Sequence, residues 1–171
     1  MAIRDAMILE LEREAEITRR LLERVPEEKL GWKPAEKSMS LNQLASHLAN
    51  LPHWGLQALS SDELDINPPD GEPMVPPSPK GVAAIVEMFD LNVARLRDAI
   101  SSTDDAAFAK TWTLKSAGAE VFSQPKAGVL RGMVLNHIIH HRGQLTVYLR
   151  LNDVPLPMTY GPSADETGGF Q

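Results

Sequence analysis

Apolar residues recur about every 3.6 positions in four stretches of the chain, and each recurrence predicts an amphipathic helix. In the first stretch Ile3, Met7, Leu11, Ala15, Thr18, Leu22 and Val25 form the stripe, charges fill the positions between them, and Pro26 ends it. The segment PEEKLGWKPAEKSMS then reads as a loop by its prolines and glycine. It also supplies the next helix start, because Ser40 followed three residues later by Gln43 fits a capping box. Leu41, Leu44, Ala45, Leu48 and Leu51 carry a second stripe on to about Leu59, with His47 in its middle. Pro52 lies inside this helix, where it removes one backbone donor and crowds the preceding turn, which predicts a kink.

Residues 60–79 hold six prolines, as in NPPDGEP and VPPSP, and show no periodicity. A connection of this length can cross the end of a helical bundle and wall a pocket. Ser78 as cap and Pro79 in the first turn are expected to open a third helix, with Val82, Ile85, Val86, Phe89, Val93, Leu96 and Ile100 facing inward. Residues 101–125 predict a short turn at TDDAAFAK and a weak extended piece at TWTL, with negligible sheet. Pro125 opens a last helix running to about Asn152 with Leu130, Val134, His137, His141, Leu145 and Tyr148 on its inner face. The tail from 153 to 171 reads as irregular, with Tyr160 packing against the rest. There is no internal repeat. The expected architecture is one all-α domain over 1–171, a four-helix bundle with long crossover connections.

Composition narrows the chemistry. The absence of cysteine excludes disulfides, thiolate-bound zinc, iron-sulfur clusters and cysteine nucleophiles. A formal charge of −6 without a basic patch opposes nucleic-acid binding. No segment resembles a signal peptide or a membrane span, so the chain reads as a soluble cytoplasmic protein with no membrane partner.

Three of the five histidines fall within the stretch HIIHH at 137–141. His137 and His141 stand four residues apart on one helical face, the spacing that lets two imidazoles serve one cation, whereas His140 is rotated about 100° from His141. Two readings stay open from the residues alone. These are helix histidines hydrogen-bonded singly in the core, or His47 joins the pair and one cation satisfies all three. An all-imidazole site suits zinc, nickel, iron or cobalt, and three protein ligands leave positions open for water or substrate.

The surrounding residues are less specific. Arg142 is most simply a surface or ion-paired residue, and Gln144 is placed to hydrogen-bond a ligand histidine. Asn50 and Asn136 have the same ambiguity. Trp54 and Tyr148 suit a core or pocket wall. Gly143 inside a helix hints at close approach of a neighbour. Asp165 and Glu166 are solvated unless the tail folds over the site. No nucleophilic triad, phosphate loop or carboxylate pair is apparent, so the catalytic residues are unknown.

LGWKPAEKSMSLNQLASHLAN, NHIIHHRGQLTVYLRLNDVPLPMTYGPSADE and the four-helix order together resemble the DinB/YfiT-like family of metal-dependent enzymes. The resemblance covers nearly the whole chain and is most specific at HHRGQ with an upstream helical histidine. It implies a four-helix bundle of crossover topology, frequent homodimers, and a divalent ion on His47, His137 and His141. It also implies thiol transferases and isomerases that use low-molecular-weight thiols, and relatives labelled hydrolases. The leading expectation is thus a metal-dependent, thiol-dependent S-transferase acting on a small molecule, with a metal-dependent hydrolase as the alternative. A different class is a non-catalytic dimer that binds metal or a small ligand in a stress response.

Overall fold

Three long helices and a segmented fourth helical run carry the core of the protein in a computed structural model that describes residues 2–166. Helix α1 spans Ile3–Leu22, α2 Leu41–Ser60 and α3 Val82–Ser102. The fourth run begins with α5, Lys126–Val129, passes through a π-helical segment, Leu130–Asn136, and ends in α6, His137–Arg150. Leu11, Leu21, Leu44, Leu48, Phe89, Leu96, Leu130, Ile138 and Leu145 meet in one buried cluster, so the four stripes share one interior. No helix among the described residues is long and apolar enough to cross a membrane.

The start of α2 follows from its cap. The Gln43 amide donates to Ser40 Oγ at 3.2 Å, and the Ser40 amide donates to Gln43 Oε1 at 2.8 Å. The helix then runs through the buried Pro52 to Ser60. The first helix ends at Leu22, three residues short of the expected Val25, and Ile3 is exposed, not inward.

The start of α3 differs from the expectation at Ser78 and Pro79. Gly81 precedes the helix with φ +93°, and the first free amide, on Val82, donates to Glu27 Oε2 at 2.8 Å. An acid from a distant loop thus meets the positive end of the helix, and Ser78 is left outside it.

The all-α expectation is corrected by a three-stranded sheet. Strand β1, Glu63–Asp65, lies parallel to β2, Thr111–Ser116, which pairs antiparallel with β3, Ala119–Pro125. Ala117 and Gly118, at φ +53° and +76°, make the two-residue turn between β2 and β3, a conformation that suits the twist of a hairpin. Trp112 and Leu114 of β2 face inward with Ala58 and Val129 and form a second buried cluster. TDDAAFAK holds a short helix, α4 (Asp105–Phe108), capped by Asp104 Oδ1, which accepts from the Ala107 amide at 2.8 Å.

The sheet also moors the proline-rich segment. The Ile66 amide donates to the Lys115 carbonyl at 3.0 Å and the Ala117 amide to the Asn67 carbonyl at 2.9 Å. With Glu27 holding the far end beside Gly81, the strap in between passes across the face of α2 that carries His47.

The π-helical segment changes the inner face of the last helical run. Leu130, Val134, His141 and Leu145 keep the buried places expected of them. Ile138 and Leu149 are fully buried, while the expected inward residues His137 and Tyr148 are only half-buried. The run stops at Arg150, short of Asn152. A Cβ on Gly143 would meet nothing within 4 Å, so that glycine marks no close helix approach.

The tail is irregular, and within it Asp165 and Glu166 are not free acids. Glu166 pairs with Arg20 and Arg24 at 2.6 and 2.5 Å, and Asp165 pairs with Arg150 at 2.5 Å. Tyr160 donates its hydroxyl to Glu14 Oε2 at 2.8 Å, and its ring lies 4.9 Å below the Arg142 guanidinium. Residues 167–171 of the expected tail lie outside the described residues.

Candidate metal centre

Each of the three histidines stands beside a stripe that fixes its helix. His47 lies between the buried residues Leu44, Ser46 and Leu48 on α2. His137 opens α6 where the π-helical segment ends, and His141 follows one turn later between Ile138 and Leu145. The His137 and His141 Nε2 atoms are 2.8 Å apart, and the His47 and His137 Nε2 atoms 3.4 Å. The donor atoms of all three rings lie within 4.8 Å of one another. His140 is exposed and outside this group, although its ring centroid is 4.8 Å from that of His141.

The rings are set up to present lone pairs. Gln144 Oε1 lies 2.6 Å from His141 Nδ1; a carbonyl oxygen only accepts, so that nitrogen carries the proton and Nε2 is left as the basic atom. Burial pushes the His47 imidazole from its usual value near 6.5 to about 4, with further lowering from His141 and His137. Burial also lowers His137 and His141, against the raising pull of the Met133 backbone on the first and of Gln144 on the second. All three are therefore neutral at pH 7, the state that ligation requires.

The donor set fits a divalent ion. Two imidazole nitrogens on one zinc ion, each at about 2.0–2.1 Å, stand about 3.3 Å apart. The Nε2 separations of 2.8 and 3.4 Å bracket that value. Three neutral imidazoles from two helices at such distances are compatible with a metal site.

A two-lobed cleft opens beside His47. One lobe, about 550 Å³, lies between α2 and the loop carrying Lys33 and Lys37; the other, about 610 Å³, lies between α2 and α3. His47, Asn50, Pro76 and Pro77 line both lobes. Trp54 belongs to the second lobe, with Met88 and Leu91.

Tyr148 lines neither lobe and packs edge-on against Trp32 at 5.6 Å. Asn136 is exposed. Arg142 is buried and pairs with Glu14 at 2.6 Å, facing α1. No tail residue up to Glu166, the last one described, lines the cleft.

Sequence reading passed over Ser46, Lys33, Lys37 and His53, all of which line the cleft. Ser46 adjoins His47 but carries no signal of its own. The lysines come from a loop whose position depends on packing between distant elements.

A family model described as the DinB superfamily matches residues 10–145. The chain belongs to the DinB superfamily. A DinB-like protein of Bacillus cereus superposes with a TM-score of 0.70 at 21% identity, over 91% of this chain and 97% of its own. A second DinB-like protein, from Bacillus subtilis, superposes with a TM-score of 0.68 at 15% identity, over 96% and 99%. No curated protein matches the sequence. The chain thus has a DinB-like fold, and here that fold is mainly helical with a small three-stranded sheet.

Proposed function

We propose that the protein is a metal-dependent enzyme in which His47, His137 and His141 hold one divalent ion, zinc or nickel before iron or cobalt. Its chemistry is thiol-dependent S-transfer onto a small electrophilic substrate. The observation that carries this reading is the convergence of three neutral imidazoles, one of which, His47, lines an open cleft. Three protein ligands leave room for an exchangeable group, the arrangement of catalytic and not of structural sites. When bound, such an ion lowers the pKa of a thiol or water and stabilises its anion.

The chain's own residues do the rest. Gln144 holds the His141 ring in one tautomer and orientation. Burial keeps the His47 ring neutral. Asn50 offers an amide to whatever lies in either lobe, and Pro76 and Pro77 wall both lobes on the side of the strap.

Metal analysis of the purified protein comes first, and about one ion per chain is expected. A panel of low-molecular-weight thiols with an electrophilic acceptor, run beside ester and amide substrates, then decides the reaction. Turnover of esters or amides without any thiol would replace transfer by hydrolysis. Turnover of nothing by metal-loaded protein would favour a binding role. The homodimer is part of the same proposal; a monomeric mass in light scattering at micromolar concentration counts against it.

A further inference from the structure

The chain has 23 acidic and 17 basic residues, yet the residues lining the two lobes of the cleft include Lys33, Lys37 and Arg95 and not one Asp or Glu. Elsewhere most cations are paired, although Arg13, Lys29, Lys80 and Lys110 have no ion pair among the described residues. Arg19, Arg20, Arg24, Arg97, Arg142 and Arg150 each meet a carboxylate. In the cleft Lys33 reaches only the Glu36 carbonyl, at 3.1 Å, and Lys37 and Arg95 have no ion pair among the described residues. A recess lined by one sign of charge on a molecule of the opposite sign concentrates its counter-ion.

A second observation points the same way. Ser46 is 4% exposed, lines the lysine lobe, and its Oγ finds no hydrogen-bond partner among the described residues. A buried hydroxyl left unpaired is costly, and an acceptor oxygen from a ligand would take its proton. The opposite lobe, which Arg95 and His53 also line, is more apolar. Trp54, Met74, Val75, Met88 and Leu91 line it, and Val75 is 83% and Leu91 48% exposed, a concentration of open apolar surface around a recess.

We propose that the cleft selects a small amphipathic anion whose carboxylate or phosphate lies against Lys33, Lys37 and Ser46 while its apolar part lies in the lobe of Trp54, Met88 and Leu91. Both lobes touch His47, so such a molecule presents its middle to the histidine cluster. That placement of the reacting part rests on the function proposed above; the preference for an anion does not.

The test titrates octanoate, octyl phosphate, octanamide and octylammonium into wild-type protein, metal-loaded and chelator-stripped, by calorimetry. The anions are expected to bind about tenfold more tightly than the amide, and the ammonium most weakly. K33Q/K37Q is expected to weaken the anions about fivefold and to leave the amide unchanged. L91Q, at an exposed position, is expected to weaken all four alike. A preference of octyl phosphate over octanoate, or the reverse, identifies the anionic group.

The proposal is overturned if octanamide matches octanoate, or if K33Q/K37Q leaves octanoate unchanged. Loss of octanoate binding on stripping, with no effect of the lysine substitutions, would show a carboxylate bound to the metal alone and would also overturn it. A lysine-dependent preference in a protein that takes up no metal would uphold it while removing the metal reading.

Discussion

His140 and His141 are neighbours in sequence, but His140 is exposed whereas His141 is 9% exposed and holds Nε2 at 2.8 Å from His137. The i, i+4 pair was legible because helical rotation brings 137 and 141 to one face. The pairing of both with His47 depended on which face of α2 meets α6, which periodicity alone leaves open. His47→Ala, His137→Ala and His141→Ala are each expected to lose stoichiometric metal in elemental analysis and to keep their helical circular dichroism. His140→Ala is expected to retain the metal; the reverse pattern for 140 and 141 would reject the assignment.

The metal-free protein carries a pH signature of the same residue. His47 is lowered to about 4 by burial, so the unfolded chain takes up a proton near 6.5 while the folded chain refuses it until about 4. Stability is therefore intact above 6.5 and is lost as pH falls through that window. The ring is partly open to solvent, so screening keeps the loss below the full linkage value of the shift. Urea midpoints of metal-free wild type and His47→Gln, compared at pH 7.5 and 4.5, measure it. The variant is expected to lose less on acidification.

Among the elements, the long helices were legible because each repeats its period over five or more turns and α2 carries an explicit cap. Of the strands only β2 was, as the extended piece at TWTL. β1 is three residues inside a proline-rich stretch, and β3 faces mostly solvent, so neither shows the alternation of a half-buried strand. Ala117–Gly118 also lacks the Asn-Gly or Asp-Gly signature of a tight hairpin. The start of α3 escaped for another reason: its capping acid, Glu27, comes from 55 residues earlier.

Two glycines separate packing from propensity at this scale. A Cβ on Gly55 would meet side-chain atoms of the buried Leu96 and Leu130 at 2.8 and 2.9 Å, whereas one on Gly143 meets nothing within 4 Å. Gly55→Ala is expected to destabilise by about 1 kcal/mol, because overpacking outweighs the gain in helix propensity. Gly143→Ala is expected to stabilise by about 0.5–1 kcal/mol. Equilibrium denaturation of the two variants tests the opposite signs.

Across the whole molecule, the proposed ligands divide into a near pair and a distant third. His137 and His141 are four residues apart, while His47 and His137 are 90 apart. In kinetic terms the pair can form with one helix, but the third nitrogen arrives only after a long loop has closed, and that closure comes late for so distant a contact. An ion held by all three would act as a clip on the finished fold, absent from the barrier the chain crosses to reach it. Zinc added to the refolding buffer is then expected to leave the folding rate nearly unchanged and to slow unfolding, as interactions formed after the transition state do. Stopped-flow measurements with and without the ion separate the two rates, and the same ion should lengthen the lifetime of the native state more than it hastens its arrival.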